Sequence, residues 1–271
     1  MTDPRIAIRP ISRFQDGTRE DVDDAVAVER PLEIRVDGRT VSVTLRTPGH
    51  DPELALGFLA GEGLIEHRAD VAQVREQAAA CADQPDAVDL ELAAGVALDW
   101  SRLERHFAAT AACGLCGRAH LESLRAGLVP IAWPEALEAQ SLVELPARLA
   151  AAQTVFQATG GLHAAAFCDE RLMVRLARED VGRHNAVDKV CGSLLEAGSY
   201  PVSGGVLWVS GRAGAELVLK AARARIPVLA AVGAPSSLAI ELAEAAGMTL
   251  IGFLRAGRMN VYAGPQRVRA G

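Results

Sequence analysis

Residues 205–232, GVLWVSGRAGAELVLKAARARIPVLAAV, decide the fold. Two short apolar runs, residues 205–209 and 227–232, have the length and the Val/Leu content of buried strands. Residues 215–225 lie between them and repeat apolar residues at helical spacing. A strand, a helix and a second strand in this order predict two parallel strands joined by a crossover.

The same alternation continues on both sides of this stretch. Residues 171–176 predict a strand and residues 184–197 a helix that Gly198 ends. Towards the C-terminus, residues 237–246 predict a helix that Gly247 ends, and residues 249–254 a strand. We therefore expect residues 151–271 to form the main α/β domain, a three-layer sandwich with a mostly parallel sheet.

The first half of the chain predicts a smaller α+β portion, residues 30–110. Residues 32–36 and 40–45 alternate apolar and polar side chains around Asp37-Gly38, which is typical of a β-hairpin. A helix over residues 52–60 follows, with Asp51 as its N-cap and Gly61 or Gly63 at its end. Residues 88–92 predict another strand. We expect a flexible segment over residues 1–29 and a connecting segment over 111–150.

Composition narrows the possible functions. The net charge of −6 offers no general attraction to a polyanion, so we do not expect nucleic acid as a partner. The first ten residues lack the apolar core of a signal peptide, and no run approaches the ~18 apolar residues of a membrane span. We therefore expect a cytoplasmic protein with no membrane association. Five cysteines, only two of them close together, do not predict a disulfide framework.

The predicted strands end in residue types that bind phosphate. Arginine, small hydroxyls and glycine occur in the four segments 178–180, 210–212, 233–236 and 254–255. Glycine lets the backbone approach a phosphate, and arginine holds it with a fixed fork of donors. In α/β sheets ligands bind beyond the carboxyl ends of the strands. These segments predict a nucleotide pocket, although short loops use the same residues without any ligand.

Cys113 and Cys116 form a Cys-x-x-Cys pair, with Gly114 between them. A thiol at the start of a helix beside Arg118 ionises readily, because the helix dipole and the cation favour the thiolate. Three chemistries fit the spacing. A structural zinc ion needs four ligands, and only His106 and His120 lie nearby. A thioredoxin-like dithiol and a persulfide relay both need an accessible thiolate, and the spacing leaves these alternatives open.

Two further segments are unusual in their polar or glycine content. Residues 178–189, REDVGRHNAVDK, place Asp180, His184 and Asp188 around a strand-to-helix junction. They predict cofactor binding or proton handling, or else a solvated helix start capped by Asp180. Residues 159–166, TGGLHAAA, predict close backbone packing or close ligand approach. The histidine in this second segment is also compatible with a core residue.

Zinc-dependent deaminases also carry their chemistry on cysteines near helix starts, so we compared their signature with this sequence. That signature combines His-x-Glu with a later Pro-Cys-x-x-Cys. Here Ala112 replaces the proline, and the His-x-Glu at residues 120–122 follows the cysteines instead of preceding them. Hydrolytic deamination is therefore not expected.

The ordered set of motifs resembles the formate dehydrogenase accessory sulfurtransferase family, FdhD/NarQ. The motifs that carry the resemblance are residues 53–59 with Glu62-Gly63, the CGLCG at 113–117, the TGGLH at 159–163, residues 178–189, and the C-terminal segments 233–237, 252–255 and 260–262. One departure is the stretch 212–218, which carries Ala213 and Gly214 where hydroxyl and bulkier residues are usual in the family. This departure bears on how Arg212 contacts a ligand.

The resemblance implies a cytoplasmic homodimer with a cytidine-deaminase-like fold and no zinc. It implies a sulfur relay in which a cysteine desulfurase loads a persulfide onto Cys113, with Cys116 as the second catalytic thiol. The sulfur acceptor would be the molybdenum or tungsten of bis(molybdopterin guanine dinucleotide), which formate dehydrogenase then receives.

The family analogy and the predicted pocket together assign the cofactor-binding residues. The analogy places the guanine dinucleotide on residues 253–258, whose members are Phe253, Leu254, Arg255, Ala256, Gly257 and Arg258. The pocket adds residues from the other strand ends and the two unusual segments, namely Gly160, Gly161, His163, Asp180, His184, Ser210 and Arg212.

Overall fold

The computed structural model describes residues 3–81, 84–98, 100, 127–133 and 135–270. The N-terminal half contains β1 (Ile6–Gln15), β2 (Thr18–Ala27), β3 (Arg30–Val36), β4 (Arg39–Arg46), α1 (Asp51–Glu62), β5 (Val71–Gln77) and β6 (Asp86–Leu92). The C-terminal half begins with β7 (Leu137–Glu138), α2 (Ala139–Val143), α3 (Leu145–Ala150), α4 (Thr154–Thr159), β8 (His163–Cys168) and β9 (Val174–Asp180). It continues with α5 (Arg183–Glu196), β10 (Val206–Val209), α6 (Ala215–Arg223), β11 (Val228–Ala231), α7 (Ser237–Ala245), β12 (Thr249–Arg255), β13 (Arg258–Ala263) and β14 (Val268–Arg269).

The large sheet of the C-terminal half is mixed, with the strand order β13-β12-β11-β10-β8-β9. In this described sheet only β10–β11 and β11–β12 are parallel pairs, and the other three pairs are antiparallel. The expectation of a mostly parallel sheet is therefore wrong. The predicted crossover from β9 through α5 to β10 does exist, but β8 lies between the two strands and runs opposite to both.

The strand expected at residues 171–176 begins later, at Val174, because a tight turn occupies its predicted start. Asp169 Oδ1 accepts hydrogen bonds from the backbone N–H of Arg171 at 3.0 Å and of Met173 at 2.9 Å. Leu172 takes a positive φ of 58° within this turn. The turn joins β8 directly to β9, so the two strands form a hairpin whose far end is Asp180.

Both faces of the six-stranded sheet are covered by apolar residues. Alternate strand residues such as Leu207, Leu229 and Leu250 belong to a core shared with α1, α5, α6 and α7. Their neighbours Trp208 and Ala230 belong to a second core with α2, α3, Trp133 and Leu137. This period-two division is what a strand buried on both sides requires.

Helices α1 and α5 cross with their backbones in contact. A Cβ added to Gly57 would lie 1.8 Å from the carbonyl oxygen of Asp188, and one added to Gly192 would lie 1.8 Å from that of Glu53. Only glycine permits this approach at either position. The contact joins the two halves of the chain through one helix pair.

The smaller sheet has the order β4-β3-β6-β5, and its β3–β4 hairpin is the predicted one. Helix α1 follows it as expected and ends at Gly63, which has a φ of 70°. Its N-cap is His50 and not Asp51. Asp51 instead pairs with the buried Arg46, at 2.7 Å between Oδ2 and the guanidinium.

Residues 1–29, expected to be flexible, contain an antiparallel hairpin of β1 and β2. Its register runs from Ile6 opposite Ala27 to Gln15 opposite Thr18. Among the described residues, no helix is long and apolar enough to cross a membrane.

Candidate functional site

The carboxyl ends of β10, β11 and β12 meet at one edge of the large sheet, because these strands are parallel. The loops that follow them are joined by backbone hydrogen bonds, from Gly233 N–H to Gly211 C=O at 2.9 Å and from Phe253 N–H to Gly233 C=O at 3.1 Å. The predicted segments 210–212, 233–236 and 254–255 therefore form one continuous rim. This is the location where α/β sheets bind ligands.

The antiparallel strand β8 brings His163 to the same rim. Ser210 fixes the start of this strand, since its Oγ accepts a hydrogen bond from Ala164 N–H at 2.9 Å. Burial, with a further contribution from Arg183, lowers the pKa of His163. Gly160 ends α4 with a φ of 66°, and Gly161 lies against Ala27 of the N-terminal hairpin.

Helix α5 places Arg183 and His184 at the rim. His184 Nε2 lies 3.1 Å from Glu216 Oε2, at the start of α6. Burial lowers the pKa of His184, although Glu216 opposes the change. The Nε atom of Arg183 is buried and has no hydrogen-bond partner among the described residues. With the exposed Arg212, these groups give the rim cationic and neutral imidazole donors suited to an anion. Arg183 and Glu216 were not among the predicted site residues.

Asp180 lies at the rim in the fold but is completely buried. Its Oδ2 is 2.7 Å from Lys189 Nζ and accepts a hydrogen bond from Thr47 N–H at 3.1 Å. Its Oδ1 accepts from Gly182 N–H at 2.8 Å and from the Asn185 amide at 3.0 Å. Asp180 therefore joins Thr47, the residue after β4, to α5. Its carboxylate has no surface left for a ligand.

Two other side chains of the 178–189 segment form ion pairs with residues of neighbouring helices. Arg178 pairs with Glu53 of α1, with Nη2 and Oε1 2.6 Å apart. Asp188 is 2.7 Å from Lys220 Nζ. Burial would lower the pKa of Lys220, but Asp188 and Glu62 outweigh that effect and raise it, so this ammonium stays charged.

The β12–β13 hairpin carries the segment 253–258 expected to contact the cofactor. The side chain of Leu254 is completely buried in the second core, whereas Arg255, Ala256, Gly257 and Arg258 are exposed. Phe253 has a positive φ of 52°. A cleft of about 250 Å³ lies here, and its described lining residues are Phe253, Arg258 and Asn260. From β8 to β12 the rim spans three strand spacings, roughly 14 Å.

Cys113 and Cys116 lie outside the described residues, as do His106 and His120. Cys168 and Cys191 are buried, and burial raises the pKa of each thiol to about 12. Both therefore remain protonated core residues at neutral pH, as the sequence indicated. Among the described residues, no three His, Cys, Asp or Glu side chains converge to hold a metal ion.

Comparisons with known proteins identify relatives of this chain. The chain is 48% identical over 270 residues to "Sulfur carrier protein FdhD" of Streptomyces avermitilis, covering 96% of this chain and 94% of that one. It is 49% identical over 251 residues to the protein of that name from Mycolicibacterium paratuberculosis, covering 90% and 92%. Its fold is similar to the crystal structure of a putative formate dehydrogenase accessory protein from Desulfotalea psychrophila. That match has a TM-score of 0.76 and 25% identity, and it covers 98% of this chain and 100% of that one. Residues 27–269 match the FdhD/NarQ family, and the chain therefore belongs to that family.

Proposed function

We propose that this protein is a sulfurtransferase that carries sulfur as a persulfide on Cys113. A cysteine desulfurase supplies the sulfur, and the acceptor is the molybdenum or tungsten of bis(molybdopterin guanine dinucleotide), destined for formate dehydrogenase. The names of the relatives support sulfur carriage and the formate dehydrogenase connection. A homodimer, a cytoplasmic location and a cytidine-deaminase-like three-layer fold remain part of this proposal.

The observation that carries the choice of substrate is the rim of the large sheet. Four arginines lie along that edge: Arg183 begins α5, Arg212 follows β10, Arg255 ends β12 and Arg258 begins β13. From β10 to β13 the edge spans three strand spacings, roughly 14 Å. One guanidinium group can donate two parallel hydrogen bonds to a phosphate, so a row of arginines suits a dinucleotide with several phosphates. The cleft beside Phe253 adds a place for an aromatic ring. The described residues therefore fit the nucleotide part of the substrate.

The loading step is a displacement at sulfur. The Cys113 thiolate attacks the outer sulfur of the desulfurase persulfide and forms a new S–S bond. The S–S bond of the donor breaks, and the donor cysteine leaves as a thiolate. No net oxidation or reduction occurs. Cys116 acts as an assisting thiol.

Mass spectrometry after incubation with a desulfurase and cysteine tests this step. We expect a one-sulfur increment in the wild type that Cys113→Ala abolishes and Cys116→Ala only reduces. Cys81→Ala is the matched control, because this exposed cysteine has no assigned role and its loss should leave loading unchanged. Loss of formate dehydrogenase maturation should accompany loss of loading.

Two other outcomes would support different functions. Stoichiometric zinc in the purified protein would indicate a zinc-stabilised chaperone of a metalloenzyme. A Cys113–Cys116 disulfide that cycles without any sulfur increment would indicate a dithiol redox protein. Full maturation by both cysteine variants would refute the relay.

A further inference from the structure

His163 and Arg183 converge on Gly211 at the β8 end of the rim. A Cβ placed on Gly211 would lie 3.4 Å from Nδ1 of His163 and 3.7 Å from Cδ of Arg183. His163 begins β8 and Arg183 begins α5, so two different elements bring an imidazole and a guanidinium to one point. The cleft beside Phe253 belongs to β12, which β10 and β11 separate from β8.

Both side chains at this point have polar atoms that the protein leaves without partners. The Nε atom of Arg183 is buried and makes no hydrogen bond to any described residue. The His163 ring is partly exposed, and no hydrogen bond from the described part of the chain acts on it. Burial, followed by the charge of Arg183, lowers the pKa of His163. The ring is therefore mainly neutral at pH 7 in the free protein.

The carboxylate opposite His163 is already used by other groups. Asp180 is the register partner of His163 on β9, and its charge favours a proton on the ring. Its Oδ2 lies 2.7 Å from Lys189 Nζ, however, and its Oδ1 accepts hydrogen bonds from Gly182 N–H and the Asn185 amide. A proton on His163 would therefore place a second cation beside Arg183 without a free counter-ion.

His184, the residue after Arg183, differs in this respect. Its Nε2 lies 3.1 Å from Oε2 of Glu216, so a proton on this ring already has a counter-ion within the protein. The other charged groups that act on His184 are Arg183, Lys220 and Glu62. Of the two imidazoles, His163 is therefore the one whose charge depends most on a ligand.

An anion bound beside Arg183 would supply the counter-ion that His163 lacks, because it attracts the imidazolium and offsets the repulsion from the guanidinium. We propose that His163 takes up one proton from the solvent when a phosphate group of the ligand binds beside Arg183, which links binding at this end of the rim to pH. This inference rests on the proposed function, because the phosphates of the dinucleotide are the anion.

Calorimetry with diguanosine pyrophosphate, two guanosines joined by a pyrophosphate, tests the proposal on the full chain. The phosphates of this probe keep a constant charge near neutral pH, so any proton taken up on binding goes to the protein. Titrations in two buffers with different enthalpies of ionisation give the number of protons. We expect uptake by the wild type, and a Kd that rises with pH by up to about tenfold per pH unit, as one linked proton requires.

Three variants locate the proton. His163→Gln keeps a polar side chain that does not titrate, so it should bind without uptake and with a Kd that is constant over the same pH range. His184→Gln should retain the uptake, because Glu216 already serves that ring. His67→Gln is the matched control, since this exposed histidine lies between α1 and β5 and its loss should leave the uptake unchanged.

The possible failures separate this inference from the proposed function. Binding by the wild type without proton uptake overturns the inference whether or not the variants fold, and leaves sulfur carriage standing. Uptake that persists in His163→Gln, or that only His184→Gln removes, also overturns it. Failure of the wild type to bind the probe contradicts both this inference and the nucleotide-bearing acceptor, and sulfur loading of the same preparation then reports independently on sulfur carriage.

Discussion

Asp180→Asn should destabilise the protein without directly altering the ligand site. The substitution keeps the shape of the side chain but leaves the ammonium of Lys189, 1% exposed, without its counter-ion. Burial already lowers the pKa of Lys189, and Asp180 opposes that change. Removing one partner of a buried pair costs about 3–5 kcal/mol. With a urea m-value of about 3 kcal/mol/M, the midpoint should fall by roughly 1 M or more.

Urea unfolding followed by circular dichroism measures this loss, and a GDP titration of the folded variant accompanies it. Asp24→Asn is the matched control, because Asp24 lies 3.8 Å from Arg13 on the exposed hairpin and its loss should cost within about 0.5 kcal/mol. A midpoint unchanged from the wild type would refute the argument. A selective loss of GDP affinity at unchanged stability would show that the carboxylate faces the ligand after all.

Three further predictions follow from the fold and the rim. Gly57→Ala should destabilise the protein by about 1–3 kcal/mol or more in urea unfolding, because its Cβ would overlap the carbonyl of Asp188; a loss near zero would mean that the helices separate freely. Burial would raise the pKa of Glu53, but Arg178 and His50 outweigh it and lower the pKa to about 2. Since the folded value lies below the unfolded one, stability from Glu53 is present above pH 4.5 and is lost between pH 4.5 and 2. The loss is about 3 kcal/mol, so Glu53→Gln should flatten the acid side of the stability profile, and parallel profiles would contradict this. Arg255→Ala should weaken GDP and ADP binding equally in calorimetry, because a guanidinium recognises phosphate and not the base; an effect on GDP alone would count against that role.

The strands and helices from β10 to β12 could be predicted from the sequence, since each is a local apolar pattern bounded by glycine or proline. The order of the strands in the sheet could not be predicted in this way. Strand β8 is rich in alanine, a residue depleted in strands, and its insertion between β9 and β10 depends on packing across both faces. No local pattern encodes the direction of that strand. The same holds for the hairpin of β1 and β2, whose polar residues outnumber its apolar ones.

The rim was predicted in outline because the ends of parallel strands necessarily meet. The individual roles were less accessible, since exposure cannot be read from residue type. Leu254 and Asp180 lie within the predicted segments, yet both side chains are buried. Phe253 and Asn260 line one cleft across a register shift between β12 and β13, and such a shift is a property of strand pairing that no local pattern encodes.

The segment 178–189 contributes both to the contact between α5 and the N-terminal half and to the rim. Along α5, Asn185 and Lys189 lie four residues apart and bond to Leu45 and Thr47, so this side of the helix holds the N-terminal half. His184, one position before Asn185, instead reaches Glu216 at the rim. The ionisable residues of this segment therefore serve two purposes: some hold the N-terminal half against α5, and others lie at the rim. A substitution that tilts α5 will change both the rim and the contact with Leu45 and Thr47, because both are attached to the same turn of the helix. Stability and nucleotide affinity must be measured together for any variant of this segment, and only a change in affinity at constant stability assigns a residue to the ligand.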